Sequence, residues 1–416
     1  MSGAPDAPPR RPWLPAVVVG LVVALAWSAT LLTPYLANAL GLGPTGPFLD
    51  LRGMLAANEA ASRGLNPFVP NPLDPYQRPF LYSTWWLWPG HPGLNRADTG
   101  WLGCLVVAAT WGAAVLMWRV RTWREALISG LVLLSPAWLL AVYRANNDLM
   151  IFVLLAVAVN ALQRSRVAGR TAAAMLVGAM AILKYYPVAA VIGVLAAARR
   201  REMLALFALV AAIVVLGWPS LVPAIAAISR YGLIVTASVG LQAFGAQVLG
   251  SALAPHAPAI VAWLAGLAAG AAGYHLARST GAARTADAER RFLAAAVFGA
   301  VLVGCFVIGT SYSYKLVFLW GLLPWLGRDA PAALGRRRAL GLLALGVGAC
   351  WADGLMVTAV NTFGPGLSLA GRANALAFTG VFTVVSQLGY WVIIGACVRL
   401  SLDWSRQQVS RLAVTP

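Results

Sequence analysis

The chain has 416 residues, 60% of them hydrophobic and 11% charged, with a formal net charge of +18. That composition excludes an ordinary water-soluble domain. Apolar runs of about 18 or more residues recur from end to end and mark a polytopic helical membrane protein. The positive charge does not point to nucleic acid, because the basic residues sit mostly in short loops between apolar runs, as the positive-inside rule requires.

In chain order, Asp6, Pro8, Pro9, Arg10 and Arg11 precede an apolar run from Pro15 to Thr30. No small-residue cleavage site follows it, so this reads as a retained first span. Hydropathy predicts about twelve spans, at 13–33, 101–118, 126–142, 147–163, 171–184, 187–198, 203–218, 258–277, 292–310, 315–327, 339–360 and 374–398. The short pairs 171–184/187–198 and 292–310/315–327 are open to redrawing. Most of the 31 Lys and Arg residues fall on one side of this arrangement. Arg52, Arg63, Arg78, Arg96, Arg144, Lys184, Arg230, Lys315 and Arg372 fall on the other. The crowded side is expected to be cytoplasmic, with both termini inside, in the cytoplasmic membrane of the cell.

The segment 34–100 is too long for a plain connector and is expected to be a structured first outer loop. Asp50 ends a Gly/Pro-rich linker (Gly41 to Pro47), and a helix-like run follows it. One reading makes Asp50 a helix-start carboxylate satisfying orphan N–H groups. The other makes it a base at the membrane surface awaiting a hydroxyl. Leu51, Met54, Leu55, Ala61 and Leu65 recur at near-helical spacing, interrupted by Asn58 and Ser62, with Arg52, Glu59 and Arg63 beside them. This predicts an amphipathic helix lying on the outer surface of the membrane. Tyr82, Trp85, Trp86 and Trp88 after the Pro-rich stretch fit either an interface belt or a platform for a sugar ring.

Three further outer turns are polar where lipid makes polarity costly. The first, Tyr143 to Phe152, holds Arg144, Asn146, Asn147 and Asp148, which must pair with each other or with a ligand. Asn147 or Asp148 also suits the cap of the next helix. The second, Ile182 to Pro187, sets Lys184 beside Tyr185 and Tyr186 between two short apolar runs, the kind of break where membrane proteins bind polar substrates. The third, Thr310 to Leu319, sets Lys315 behind Tyr312 and Tyr314, a charge and several donors suited to a phosphate. Single basic residues snorkelling at span ends are the bland alternative. The weakly charged loop 219–257 suits contact with a lipid chain and carries no assigned chemistry.

The segments Asp50–Phe68, Arg144–Phe152, Leu183–Pro187 and Ser311–Leu319 together resemble glycosyltransferase family 87 of the GT-C superfamily, over roughly residues 15–330. That family includes polyprenyl-phosphate-mannose-dependent mannosyltransferases. The resemblance implies an all-α polytopic bundle and a hexosyltransferase that moves a sugar, mannose foremost, from a polyprenyl-phosphate donor. The acceptor would be a glycolipid or glycan of the cell envelope on the outer face. It implies Asp50 as catalytic base, with Arg144, Lys184, Lys315, Tyr312 and Tyr314 around the donor phosphate. Asn146, Asn147, Asp148, Tyr185, Tyr186 and Glu59 are further candidates for touching substrate. Family members commonly carry Gly where this chain has Ala145.

No cofactor is implied. His91, His256 and His275 lack ligand spacing, and Cys104, Cys305, Cys350 and Cys397 lie within apolar runs, so neither a His/Cys metal site nor a disulfide framework is expected. Asp353, inside an apolar run, is expected to pair with a cation or to contact the acceptor. A polytopic transporter or lipid flippase is the rival reading, since basic residues and broken helices also serve substrate passage.

Overall fold

The computed structural model describes residues 11–414 apart from 12, 34–36, 38–45, 91–92, 165–166, 199, 232–237, 240–256, 279–284, 309–310 and 364–368. Within them the chain is a helical membrane protein. Its helices are α1 (Leu14–Leu32), α2 (Leu49–Ser62), α3 (Thr99–Met117), α4 (Trp123–Leu133), α5 (Pro136–Arg144), α6 (Asn147–Gln163), α7 (Val167–Leu183) and α8 (Val191–Ala197). There follow α9 (Arg200–Gly217), α10 (Val222–Tyr231), α11 (Ala257–Leu276), α12 (Ala286–Ile308), α13 (Leu323–Arg328), α14 (Ala330–Leu334), α15 (Arg336–Phe363) and α16 (Leu369–Val414). The strand pairing among the described residues is a short antiparallel ladder, Ser238 opposite Tyr312 and Val239 opposite Ser311.

Five stretches of the described chain are long and apolar enough to cross a membrane: Leu14–Leu32, Arg96–Met117, Arg201–Ser220, Ala286–Val307 and Val385–Gln407. A sixth is added if α4 and α5, bent by 56° at their junction, count as one. Asn147–Gln163, Val167–Leu183 and Tyr186–Ala197 are apolar but shorter. The run expected at 126–142 is thus two helices. Pro136 lacks an N–H and Ser135 accepts from the Trp138 N–H at 3.5 Å, so the chain stops and restarts there. The runs expected at 187–198 and 315–327 begin as tight 3₁₀ turns, Tyr186–Ala190 and Ser313–Gly321, before α8 and α13.

Helix α12 is the axis of the bundle, and against it pack α16 and both 3₁₀ turns. Small residues permit this closeness. A Cβ on Gly304 would lie 2.7 Å from the Tyr186 carbonyl oxygen, and one on Gly321 would lie 2.2 Å from the Phe298 ring. Four tryptophans knit the neighbouring elements together. Trp27 stacks on Trp138 at 6.0 Å, Trp138 meets Trp320 edge-on at 5.8 Å, and Trp118 lies 5.2 Å from Trp320. The Trp27 and Trp320 indoles donate to the carbonyls of Leu133 (2.9 Å) and Ala114 (3.0 Å).

Ion pairs tie helices at the end of the bundle away from Asp50: Arg170–Glu202 at 2.7 Å, Arg291–Asp329 at 2.6 Å and Arg328–Glu125 at 2.5 Å. The result is a frame whose opposite end collects the starts of α2 and α6 and the two 3₁₀ turns.

Helix α2 forms where amphipathic spacing predicts it, but it does not simply rest on a surface. Met54 and Ala57 pack with Phe80 and Trp86, and Leu51 and Leu55 pack with Phe48 and Ala145, so two sides are covered. Ala61 and Leu65, expected on its apolar stripe, are exposed. Asn58, expected to interrupt the stripe, is buried, and its amide, turned to donate, reaches the carbonyls of Trp86 (3.0 Å) and Leu87 (3.1 Å). Trp86 in turn donates to the Leu183 carbonyl at 3.0 Å, fastening the loop to the end of α7. Trp86 is therefore a strut, and Trp85 is exposed. The side chain of Trp88 and most of 219–257 lie outside the described residues.

Candidate functional site

Two polar clusters meet at this end, and the turn between α5 and α6 supplies both. Helix α5 ends at Arg144. Ala145 then takes φ 41°, in the left-handed region, and reverses the chain into α6. Glycine adopts this conformation without strain, so the alanine here carries a backbone cost. Asn146 caps α6, its side-chain oxygen accepting from the Asp148 N–H at 2.9 Å. The cap is thus Asn146, one residue before Asn147 and two before Asp148. With its oxygen committed, Asn146 donates its amide nitrogen to Asp50 Oδ2 at 2.6 Å, a bond buried within the protein.

Asp50 is presented by a pinned entry into α2. Phe48 is left-handed (φ 66°), and its N–H donates to the Tyr143 carbonyl at 2.5 Å. Its ring occupies the space that a side chain on Gly103 would need, 2.3 Å from an added Cβ. Asp50 follows in the first turn, 8% exposed. Its Oδ1 faces two guanidinium groups, Arg78 Nη1 at 3.4 Å and Arg144 Nη1 at 3.6 Å.

The second cluster centres on Asp148, which is fully buried. Its Oδ1 accepts from Lys184 Nζ at 2.6 Å and from the Tyr186 hydroxyl. Lys315 Nζ stands 4.6 Å from the centre of the Tyr186 ring, and Lys184 Nζ stands 5.2 Å from that of Tyr82. Two lysines thus bracket one carboxylate and one tyrosine. Asp148 Oδ2 and both polar atoms of the Asn147 amide are buried without a hydrogen-bond partner among the described residues. Tyr314, also buried, lies between the clusters, within electrostatic reach of Asp50, Tyr82, Asp148 and Arg144.

The residues singled out from the sequence divide accordingly. Asp50, Arg144 and Asn146 make the first cluster. Asp148, Lys184, Tyr186 and Lys315 make the second, with Asn147 and Tyr314 beside it. Tyr185 touches this group through its ring, 6.2 Å from that of Tyr186. Tyr312 enters through its backbone in the ladder, and its side chain lies outside the described residues, as does that of Asp353. Glu59 is not in either cluster. It accepts from Arg96 Nε at 2.7 Å and pairs with Arg63, which ties the end of α2 to the turn Arg96–Asp98. The Arg96 hydrogen bond outweighs the opposing effect of burial and holds the Glu59 carboxyl below its ordinary range.

Arg78 is the site residue that sequence reasoning missed. The signal was Asp74 four residues before it: the pair interlocks, Arg78 Nη2 meeting Asp74 Oδ2 at 2.9 Å. Burial pushes the Asp74 carboxyl up, but the guanidinium and the Tyr76 and Arg78 N–H groups prevail and hold it below the usual carboxylate range. Among the described residues no group of three or more His, Cys, Asp or Glu is placed to hold a metal ion.

Chemically, the first cluster offers an oriented carboxylate beside two arginines, and the second a buried patch of net positive charge. Comparison with protein-family models, with curated proteins and with solved structures finds no match to the chain.

Proposed function

We propose that the chain is a membrane glycosyltransferase of GT-C type, moving a sugar, mannose foremost, from a polyprenyl-phosphate carrier to an envelope glycolipid or glycan. The supporting observation is the convergence of Asp50, Arg144, Lys184 and Lys315 at one end of the bundle. In this reading the chain crosses the cytoplasmic membrane about twelve times, both termini are cytoplasmic, and the site faces outward.

Asp50 takes the proton of the acceptor hydroxyl as that oxygen bonds to C1 of the sugar. The bond from C1 to the phosphate oxygen breaks, and polyprenyl phosphate leaves with the electron pair. Attack from the face opposite the phosphate inverts the anomeric centre. No acid is needed on the leaving side, because phosphate departs as a stabilised anion. Arg144, Lys184 and Lys315, with Tyr314, offset the charge that grows there. The bond from Asn146 to Oδ2 fixes the plane of the carboxylate.

A lipid transporter or flippase is the second reading, favoured by the buried Asp148–Lys184 pair within the bundle. One experiment separates the two. Purified protein in proteoliposomes is incubated with a panel of radiolabelled polyprenyl-phosphate sugars and membrane lipid extract. A new labelled product is expected, and Asp50→Asn lowers its rate by roughly 10²–10⁴-fold. Undiminished transfer by Asp50→Asn would falsify the assigned base. Donor crossing the bilayer with no new product would make the protein a transporter.

A further inference from the structure

Arg78 is mounted rather than merely placed. Asp74 Oδ1 accepts the N–H groups of Tyr76 (2.9 Å) and Arg78 (3.2 Å), closing a turn around its own carboxylate. Onto that fixed carboxylate Arg78 lays two nitrogens, Nε at 3.1 Å from Oδ1 and Nη2 at 2.9 Å from Oδ2. Nη2 also donates to the Leu49 carbonyl at 3.2 Å. The remaining nitrogen, Nη1, is the one directed at Asp50 Oδ1. Gly53 leaves room for the pair: a Cβ there would lie 2.8 Å from Arg78 Nη2 and 3.0 Å from Asp74 Oδ2. The Arg78 side chain is 35% exposed, those of Asp50 and Asp74 only 7% and 3%, so Arg78 lies between the open side and the carboxylate.

Asp50 is faced by Arg78 from the loop, by Arg144 and Asn146 from the α5–α6 turn, and at longer range by Tyr82 and Tyr314. Arg144 has two claims on it. It stands 3.6 Å from Asp50, and the donor phosphate gains a second negative charge as its bond to C1 breaks, which makes it a stronger partner for a guanidinium than a shared carboxylate oxygen. A nearly buried carboxylate left without a cation loses a partner that fixes its orientation, and a base must be held toward the hydroxyl it serves. Arg78, forked onto Asp74, is held where it cannot follow the phosphate.

We propose that Arg78 is a positioning residue that keeps Asp50 paired and oriented when Arg144 turns to the phosphate of the sugar donor. This rests on the glycosyl-transfer reading above. The two arginines divide the work: Arg144 serves the leaving group and Arg78 serves the base.

The test uses the full chain as wild type, Arg78→Ala, Arg78→Lys, Asp50→Asn and the double variant Arg78→Ala/Asp50→Asn. Thermal melting in detergent reads the pairing without any activity. Arg78→Ala is expected to lower the melting point in both backgrounds, because the Asp74 fork is lost in each, and to lower it further when Asp50 is present than when position 50 is Asn. In transfer assays Arg78→Ala is expected to lower kcat by roughly 10- to 100-fold with donor KM nearly unchanged. Arg78→Lys restores the charge but not the fork and recovers part of the loss. Additive melting shifts overturn the pairing. A loss confined to donor KM overturns the division of labour and makes Arg78 a phosphate ligand. Should wild type transfer no sugar at all, the glycosyl-transfer reading falls, while the melting cycle still decides whether Arg78 holds Asp50.

Discussion

Asp50 and Asp148 occupy like positions, each in the first turn of a helix and each opposed by two cations, and they are built for different ends. Asp50 meets its arginines at 3.4 and 3.6 Å, at the foot of a side chain open to solvent. Asp148 is sealed, with Lys184 at 2.6 Å and the Tyr186 hydroxyl on the same oxygen. A loosely shared carboxylate can change partners during a reaction. One locked to a buried lysine cannot do so without stranding a charge. Proximity to cations therefore does not identify a base, whereas the tightness of the pairing and the route to it do.

The largest effect that would break this comparison is on stability. Asp148→Asn leaves Lys184 buried with its acid gone, a change that typically costs about 3–5 kcal/mol. It should show as a large fall in melting point and in yield of folded protein. Asp50→Asn strands no buried cation, because Arg78 keeps Asp74 and both arginines are part-exposed, so it should cost about 1 kcal/mol or less and fold normally. Adding Lys184→Met to Asp148→Asn removes the stranded charge and should recover part of the loss. If Asp50 proves the residue that the fold depends on and Asp148 is tolerated, the two roles are reversed.

A smaller effect, in acid, sharpens it. The loop over Asp50 is held by Glu59–Arg96 and Asp74–Arg78, whose carboxyls sit below their ordinary range. A carboxyl depressed in the folded state contributes stability that is present above about pH 4 and is lost as the pH falls through its lowered value. Both arginines are about one-third exposed, so each pair is discounted to about 1 kcal/mol or less. Hydrogen exchange, corrected for intrinsic rates, should therefore quicken a few-fold across residues 49–98 between pH 6 and pH 3. Peptides covering 147–160 and 314–321 should stay protected. Equal loosening of both regions would mean that the loop and the buried cluster are one cooperative unit.

What was legible in the sequence follows the same division. The helices were legible because apolar runs in lipid have no alternative conformation. Asp50, Arg144, Lys184 and Lys315 stood out because charge in an apolar context is costly and few residues bear it. Arg78 did not stand out, because in a polar loop an arginine is unremarkable and its role arises from a turn around Asp74 that hydropathy does not encode. Glu59 was over-read for the complementary reason: its partner Arg96 is far along the chain and brought near only by the fold of the loop. The break at Ser135–Pro136 was written plainly in residue chemistry, yet the apolar run on either side hid it.

The smallest effect concerns the residue that joins the two sites. Ala145 follows Arg144 and precedes Asn146 and Asp148, so its left-handed turn sets the spacing between the clusters. Three terms bear on Ala145→Gly. Relief of the left-handed strain favours glycine by roughly 1–2 kcal/mol. The greater freedom of glycine in the unfolded chain opposes this by roughly 0.5–1 kcal/mol. The Ala145 methyl packs with Phe48, Leu51 and Leu55, and losing it costs about 0.8 kcal/mol. The sum lies near zero, so Ala145→Gly should melt close to wild type and keep its activity. A marked stabilisation would show that the methyl has no packing role. A marked loss of activity with unchanged melting would be the more telling result, since it would mean that rigidity at this one residue keeps Asp50 and the buried cations at their working distance.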